Sequence, residues 1–323
     1  MRVLVTGGAG YIGSHLVDAL IKRGDEALVI DNLSTGKIEN VRHLLGHPAF
    51  HFINDSILNE PLLERFVPSM DLIFHLAAAV GVRNILQDPL AAINTNVRGT
   101  EVVLGLAFKY WKRLVLASSS EIYGKAGHVP FREDDDRVLG SSAVARWSYS
   151  MSKAIDEHFA FAYAAKGLPV SILRYFNSYG PRLDERGYGS VVANFTRQAL
   201  RGEPITVLGD GKQTRCFTYI EDTVAGTLLA GEVKEAIGEA FNIGSPTETR
   251  ILDLARLVKR LTRSKSPIEF QPYEAYYGEG FEDTRRRVPS GEKAKHLLGF
   301  TPRVDLEAGL KKTIVWCREH FTH

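Results

Sequence analysis

Apolar residues come in short unbroken runs, separated by longer stretches in which they recur every three or four positions. The runs are Val3-Leu4-Val5-Thr6, Ala27-Leu28-Val29-Ile30, Leu72-Ile73-Phe74-His75-Leu76, Arg113-Leu114-Val115-Leu116-Ala117 and Val170-Ser171-Ile172-Leu173-Arg174-Tyr175-Phe176. Strands buried on both faces read in this continuous way. Helical spacing covers about 12–22, 90–110, 149–166, 191–201, 251–262 and 306–318, the first of these closing at Gly24. Strands alternating with helices predict an α/β fold, a doubly wound parallel sheet carrying a smaller α/β C-terminal part. After Asn177 the texture changes: Gly180-Pro181-Arg182 and Glu185-Arg186-Gly187-Tyr188-Gly189 are loop-rich. The expected first domain is 1–176 with 216–244, returning to the sheet through Phe241-Asn242-Ile243-Gly244. The expected second domain is 177–215 with 245–323.

Composition narrows the classes. A chain of 323 residues can bury one large α/β core or two cores sharing a cleft. Forty basic and thirty-eight acidic residues leave a net charge of +2 with no basic stripe, which argues against nucleic acid. Arg285-Arg286-Arg287 is the one basic cluster, and it suits a single small anion. The longest apolar stretch, about 74–82, is too short to span a bilayer. Met1-Arg2-Val3 leads straight into a strand pattern, so no signal peptide is expected and the cytoplasm is the expected compartment. Cys216 and Cys317 lie far apart, outside any metal-ligand spacing, and are expected as free thiols. The acidic run Glu133-Asp134-Asp135-Asp136 reads as a solvated loop, and no metal is expected.

The first strand ends in glycines that satisfy both Gly8-x-Gly10-x-x-Gly13 and Gly7-x-x-Gly10-x-x-Gly13. Glycines there permit a tight turn and close approach of backbone to a pyrophosphate facing the helix N-terminus. Alone the pattern is weak, but here a strand precedes it, a helix follows, and Asp31 ends the second strand. A carboxylate in that place binds a ribose diol and repels a 2′-phosphate, predicting NAD rather than NADP. Asp55 either reaches the adenine or caps a helix. Ala77 and Ala78 offer small side chains where a cofactor passes.

Tyr149 and Lys153 stand four apart on one helix face, an ammonium beside a phenol. The charge is expected to bring the phenol down from about 10 toward neutrality, fit to take a proton from a hydroxyl. Ser119, just past a strand end, either bonds the reacting hydroxyl or caps the next turn.

Together these residues resemble the extended short-chain dehydrogenase/reductase family of nucleotide-sugar epimerases, dehydratases and decarboxylases. The likeness runs through Gly7–Gly13, Asp31-Asn32-Leu33-Ser34-Thr35-Gly36, Ser118-Ser119-Ser120-Glu121-Ile122-Tyr123-Gly124 and Tyr149-x-x-x-Lys153. It continues through Asn177-Ser178-Tyr179-Gly180-Pro181-Arg182 and Gly209-Asp210-Gly211-Lys212-Gln213-Thr214-Arg215. It implies NAD held by Gly7, Gly10, Tyr11, Ile12, Gly13, Asp31, Asn32, Ser34, Thr35, Gly36, Asp55, Ile57, Leu76, Ala77 and Ala78, with Tyr149 and Lys153. It also implies oxidation of carbon 4 of a nucleotide-linked hexose, with Tyr149 as base and Ser119 beside it. A UDP-sugar would meet Asn177, Val192, Thr206, Arg215 and Arg287, and the helices at 90–110 and 149–166 would form a homodimer.

Within the family, a dehydratase needs an acid where Ser120 stands, and a simple 4-epimerase has no task for Glu121. The triplet Ser119-Ser120-Glu121 resembles UDP-glucuronate decarboxylases, as do Arg146-Trp147-Ser148-Tyr149 and the stretch from Tyr276-Tyr277 through Phe281 to Arg287-Val288-Pro289-Ser290. That likeness gives Glu121 and Arg287 to the decarboxylation step, with Ser120 as a hydroxyl beside them. Each has a bland reading: a structural ion pair for Glu121, and a diphosphate grip shared with epimerases for Arg287. A UDP-sugar 4-epimerase is the second reading. A redox sensor that binds NAD without turnover is disfavoured by the intact Ser119, Tyr149 and Lys153.

Overall fold

The computed structural model describes residues 1–81, 85, 87–185, 190–277 and 282–321. The expected features on Val82, on 186–189 and on 278–281 lie outside them. Seven strands form the central sheet: β1 (Arg2–Thr6), β2 (Glu26–Ile30), β3 (Phe50–Ile53), β4 (Leu72–His75), β5 (Arg113–Ser119), β6 (Val170–Tyr175) and β7 (Ala240–Ile243). They lie in the order 3-2-1-4-5-6-7, every pair parallel. Growth of the sheet reverses between β1 and β4, and doubly wound sheets bind ligands at the strand ends beside such a point.

The helices are α1 (Tyr11–Lys22), α2 (Glu60–Phe66), α3 (Gly99–Lys109), α4 (Trp147–Ala165), α5 (Val191–Arg201), α6 (Ile220–Glu232), α7 (Ile251–Thr262) and α8 (Leu306–His320). One core packs Leu16, Val17 and Leu20 of α1 and Val224 and Ala230 of α6 on the sheet. On the opposite face Leu104 and Ala107 of α3 meet Ala160 of α4 over Leu114 and Leu116. Burial on both sides explains why the strands read as unbroken apolar runs. The exception is β3, where His51 is exposed in an edge strand. Neither β3 nor α2 nor α6 was among the expected elements.

The predicted 90–110 helix forms as Pro89–Ile93, a wider π turn at Asn94–Arg98, then α3. Such turns mark functional places in helices. Here the turn carries Asn96, 1% exposed, whose Oδ1 accepts from the Ala79 amide at 2.7 Å while Nδ2 donates to Ser152 Oγ at 3.1 Å. The loop after β4 is thereby tied to α4. A buried Arg174–Glu157 pair (2.7 and 3.0 Å) ties α4 to β6.

The C-terminal portion is built of strand pairs and helices. Ile205–Leu208 pairs with Ile268–Gln271, Thr214–Cys216 with Glu248–Arg250, and Ser178–Tyr179 with Thr218–Tyr219. Two sequence expectations need correction. Glu133 is not simply solvated: its Oε1 accepts from the Asn242 amide at 2.8 Å, so the acidic run begins by fixing β7. The arginine triplet is split, because successive side chains of an extended segment alternate. Arg286 turns outward to Glu248 and Arg287 inward to Glu121. Cys216 and Cys317 are buried free thiols. No helix among the described residues is long and apolar enough to cross a membrane.

Candidate active site

The turn after β1 is shaped by what glycine lacks. Gly7 has φ +72°, and a Cβ there would lie 2.7 Å from the Ala77 nitrogen. A Cβ on Gly13 would lie 2.2 Å from the Gly7 carbonyl oxygen, so α1 settles directly on the turn. No side chain caps the N-terminus of α1, and no acidic residue occupies its first turn. Its leading amides are left for an anion, which the helix dipole favours. At the end of β2, Asp31 is 7% exposed; its Oδ2 accepts from the Ala9 amide at 3.0 Å and Oδ1 from the Leu33 amide at 2.8 Å. Burial raises its pKa, against the pull of those amides. Bonds from Ala9 and Leu33 fix the carboxylate in place and leave lone pairs for a diol.

These features open on a cleft of about 440 Å³ at the C-terminal strand ends. Gly7, Gly10, Tyr11, Ile12, Gly13, Asp31, Asn32, Ser34, Thr35, Asp55, Ile57, Leu76, Ala77, Ala78, Ser119, Tyr149 and Lys153 all line it. Gly36 does not: it backs the Asp31 carboxylate, where a Cβ would come within 2.9 Å of Oδ2. Asp55 turns both oxygens to local partners, the Ser56 amide (2.6 Å) and Asn59 Nδ2 (3.0 Å). Thr95, Ser118, Tyr175, Ser178, Leu183 and Asp184 also line the cleft and were not foreseen. Glycines that leave the backbone accessible, a helix N-terminus with no side-chain cap and a fixed buried carboxylate are the groups a dinucleotide needs. The residues fit NAD.

Tyr149 and Lys153 project from α4 into the same cleft. Lys153 is 2% exposed and its Nζ donates to Asp156 Oδ2 at 3.1 Å. Burial works to lower the lysine, but Asp156 and Tyr149 outweigh it and hold the ammonium above its ordinary range. Tyr149 departs from expectation. Burial raises its pKa, Glu121 and Asp156 add to the rise, and Lys153 and Ser119 oppose it without prevailing. The lysine charge does not bring the phenol toward neutrality, because burial outweighs it and Glu121, then Asp156, add to the rise. Of the two roles foreseen for Ser119, the structure shows the cap. Its Oγ accepts from the Glu121 amide at 3.2 Å, capping a short 3-10 turn, and also bonds Tyr149.

Glu121 anchors a second group. Arg287 Nη1 donates to its Oε1 at 2.8 Å, and Arg146 Nη2 approaches Oε2 at 3.4 Å. Arg215 Nη2 meets both oxygens of Asp283 (2.8 and 2.9 Å), and Tyr273 donates to Asp283 at 3.0 Å. Three guanidiniums thus face two carboxylates, leaving positive charge for an anion. Burial pushes Glu121 upward, but Arg287 and Arg146 prevail and keep it below the usual carboxylate range. Ser120, 3% exposed, lies beside it in the chain. Arg146, Asp283 and Tyr273 were not among the expected site residues: Arg146 and Asp283 lie in stretches that carry the resemblance, but neither stretch names the partner met after folding.

The substrate candidates divide. Arg215 and Arg287 join the cluster. Asn177 only reaches the Cys216 carbonyl, at 3.4 Å, and does not line the cleft. Val192 packs its side chain in the core, 1% exposed, because α5 turns that face inward. Thr206 gives its amide to Gln198 Oε1 and its hydroxyl accepts from Gln198 Nε2, each at 3.1 Å. Its amide is therefore committed within the protein.

A family model described as GDP-mannose 4,6 dehydratase matches residues 4–313. The chain belongs to this family of extended short-chain dehydrogenases/reductases. It is 44% identical over 318 residues to a UDP-N-acetyl-alpha-D-glucosaminuronate decarboxylase of Bacillus cytotoxicus, covering 98% of each. It is 40% identical to UDP-glucuronic acid decarboxylase 1 of Danio rerio, covering all of this chain and 74% of that one. Among solved structures, UDP-glucose 4-epimerase of Thermotoga maritima with UDP-glucose superposes with a TM-score of 0.90 at 36% identity, covering 100% of both. UDP-glucuronic acid 4-epimerase from Bacillus cereus, in complex with UDP-glucuronic acid and NAD, gives 0.87 at 31%, covering 99% of both. For an extended short-chain dehydrogenase/reductase, the glycine turn, Asp31 and the Tyr149–Lys153 pair lie at one cleft, with the Glu121 group built from more distant segments.

Proposed function

We propose that the enzyme is an NAD-dependent decarboxylase of a UDP-linked uronic acid, UDP-glucuronate first. NAD, held by the glycine turn after β1 and by Asp31, would supply a hydride acceptor for sugar carbon 4 and, once reduced, a hydride donor for the pentose. The observation that carries the reading is Glu121, ionised between Arg287 and Arg146 and close enough to raise the Tyr149 phenol.

Tyr149 takes the proton of the 4-hydroxyl, Ser119 orients that hydroxyl, and Lys153 stabilises the phenolate. A ketone at carbon 4 makes the carbon 6 carboxylate a β-keto acid. Breaking the bond between carbons 5 and 6 releases carbon dioxide and leaves the electron pair as an enolate on the carbon 4 oxygen. Tyr149, now protonated, faces that oxygen and stabilises it. Arg287, paired with Glu121, orients the carboxylate, Ser120 with Glu121 passes a solvent proton to carbon 5 in place of the lost carbon dioxide, and Tyr149 gives its proton back to the carbon 4 oxygen as hydride returns. Arg215 grips the diphosphate with its guanidinium fork.

The test is incubation with UDP-glucuronate or UDP-N-acetylglucosaminuronate followed by mass analysis. Loss of the mass of carbon dioxide is expected. An unchanged mass with inverted carbon 4 would instead support a 4-epimerase, the reading favoured by the superposition on epimerases.

We also infer a cytoplasmic homodimer. Leu90, Ile93, Met151, Ile155 and Phe161 are exposed on the segment before α3 and on α4, an apolar face of the kind a partner helix pair covers. Sedimentation measures the state.

A further inference from the structure

Behind Lys153 runs a buried polar chain with no evident task in binding. Thr6 Oγ1 meets His75 Nδ1 at 2.7 Å, and His75 Nε2 meets Thr100 Oγ1 at 3.1 Å. The Thr100 hydroxyl in turn neighbours Asp156, whose Oδ2 takes the Lys153 ammonium at 3.1 Å. Thr6, Thr100 and Asp156 are wholly buried and His75 is 1% exposed. The chain crosses from β1 through β4 and α3 to α4. A carboxylate so deep in the protein is costly unless it is paired, and here its charged partner is the lysine of the candidate site.

We propose that Asp156 is a positioning residue for the reaction: it draws the Lys153 ammonium back from Tyr149 and so sets the pH at which the phenol becomes a base. This rests on the reading of Tyr149 as the base. The groups facing the Lys153 ammonium are Asp156 and Glu157 of its own helix, the phenol of Tyr149, and His75 of β4. Glu121 faces the phenol from the turn after β5. Of these, Asp156 alone hydrogen-bonds Lys153, so it controls where the ammonium points. Thr100, bonded to His75, lies behind the carboxylate, and Thr6 links His75 to the strand that ends at the cofactor turn.

The direction of the effect follows from charge. With Asp156→Asn the ammonium keeps its charge, loses its counter-ion and acts on Tyr149 undiminished, so the phenol ionises more easily. The acidic limb of the kcat/KM profile should move down by about 1 pH unit, the scale on which one nearby charge acts. The phenolate absorbance of the protein, read as the difference between otherwise identical chains with and without Tyr149→Phe, should shift the same way. NAD content shows that the variant is folded. An unmoved or upward limb in a folded, NAD-containing Asp156→Asn enzyme overturns the proposal. Should that variant not fold, Thr100→Val serves: it removes the hydroxyl that shares Asp156, leaves the carboxylate wholly to Lys153, and should raise the limb. No shift there also overturns it. Tyr149→Phe separates the two readings. Full turnover in that variant sinks the base assignment, whereas lost turnover with an unmoved Asp156→Asn profile sinks only the role of Asp156.

Discussion

Arg287 and Glu121 stand 166 positions apart and meet at 2.8 Å through Nη1 and Oε1. The pair joins the turn after β5 to the segment that follows Asp283. Arg287, joined by Arg146 on the other carboxylate oxygen, outweighs burial and keeps Glu121 below the usual carboxylate range. Glu121→Gln retains the shape and removes the charge. Carbon dioxide release should fall on the order of 10²-fold or more, the usual weight of a positioned acid–base group, while NAD content stays unchanged. Evolution of labelled carbon dioxide reads the first quantity and absorbance of the purified protein the second.

Asp31 receives the Ala9 and Leu33 amides and has lone pairs to spare. Asp31→Ala tests the proposed contact with the cofactor ribose: loss of a charged hydrogen bond is worth about 1.5–3 kcal/mol, or roughly 10- to 150-fold in NAD affinity. The preference for NAD over NADP should narrow in the same variant. Titration of cofactor into stripped protein measures both.

Gly13 has no room for a methyl group against the Gly7 carbonyl. Gly13→Ala should lower stability by about 1–3 kcal/mol, the cost of overpacking, and weaken NAD as the turn is pushed aside. Urea unfolding followed by circular dichroism gives the first number.

His75 is buried and neutral; burial first, then the Lys153 charge, lowers it from 6.5 to about 3. The unfolded chain takes this proton near 6.5, so between the two values the unfolded state binds more protons. The stability His75 contributes is complete above about 6.5 and declines as the pH falls, by about 1.4 kcal/mol per unit at most. His75→Gln keeps a polar group between Thr6 and Thr100 and should flatten that slope. Urea midpoints across the acid range test it.

The glycine turn was legible because its meaning is local: strand, glycines, helix and Asp31 lie within one stretch of about 30 residues. Tyr149 with Lys153 was legible for the same reason, one helical turn carrying both. The phenol's acidity was not, since burial acts against the phenolate and Glu121 and Asp156, brought near by folding, add to it. Arg146 and Asp283 reach their partners only after folding, and nothing beside them in sequence names those partners. Val192 and Thr206 show a different limit of sequence reading. Both were expected to meet substrate, and here the Val192 side chain packs in the core and the Thr206 amide donates to Gln198, commitments that only folding makes visible. In the fold, the short edge strand Phe50–Ile53 was missed for want of a two-sided apolar run.

One feature of the sheet bears on how the protein is made. Its final place, beside Val170–Tyr175, is taken by Ala240–Ile243. Until that segment leaves the ribosome, the growing chain carries Val170–Tyr175 with one row of amides and carbonyls unmatched, a template for wrong pairing. Synthesis at about 5–20 residues per second leaves that row open for several seconds. Nascent chains stalled before residue 240 should therefore bind chaperone more strongly than chains stalled well past 243, once Asn242 has joined Glu133 and the row is closed.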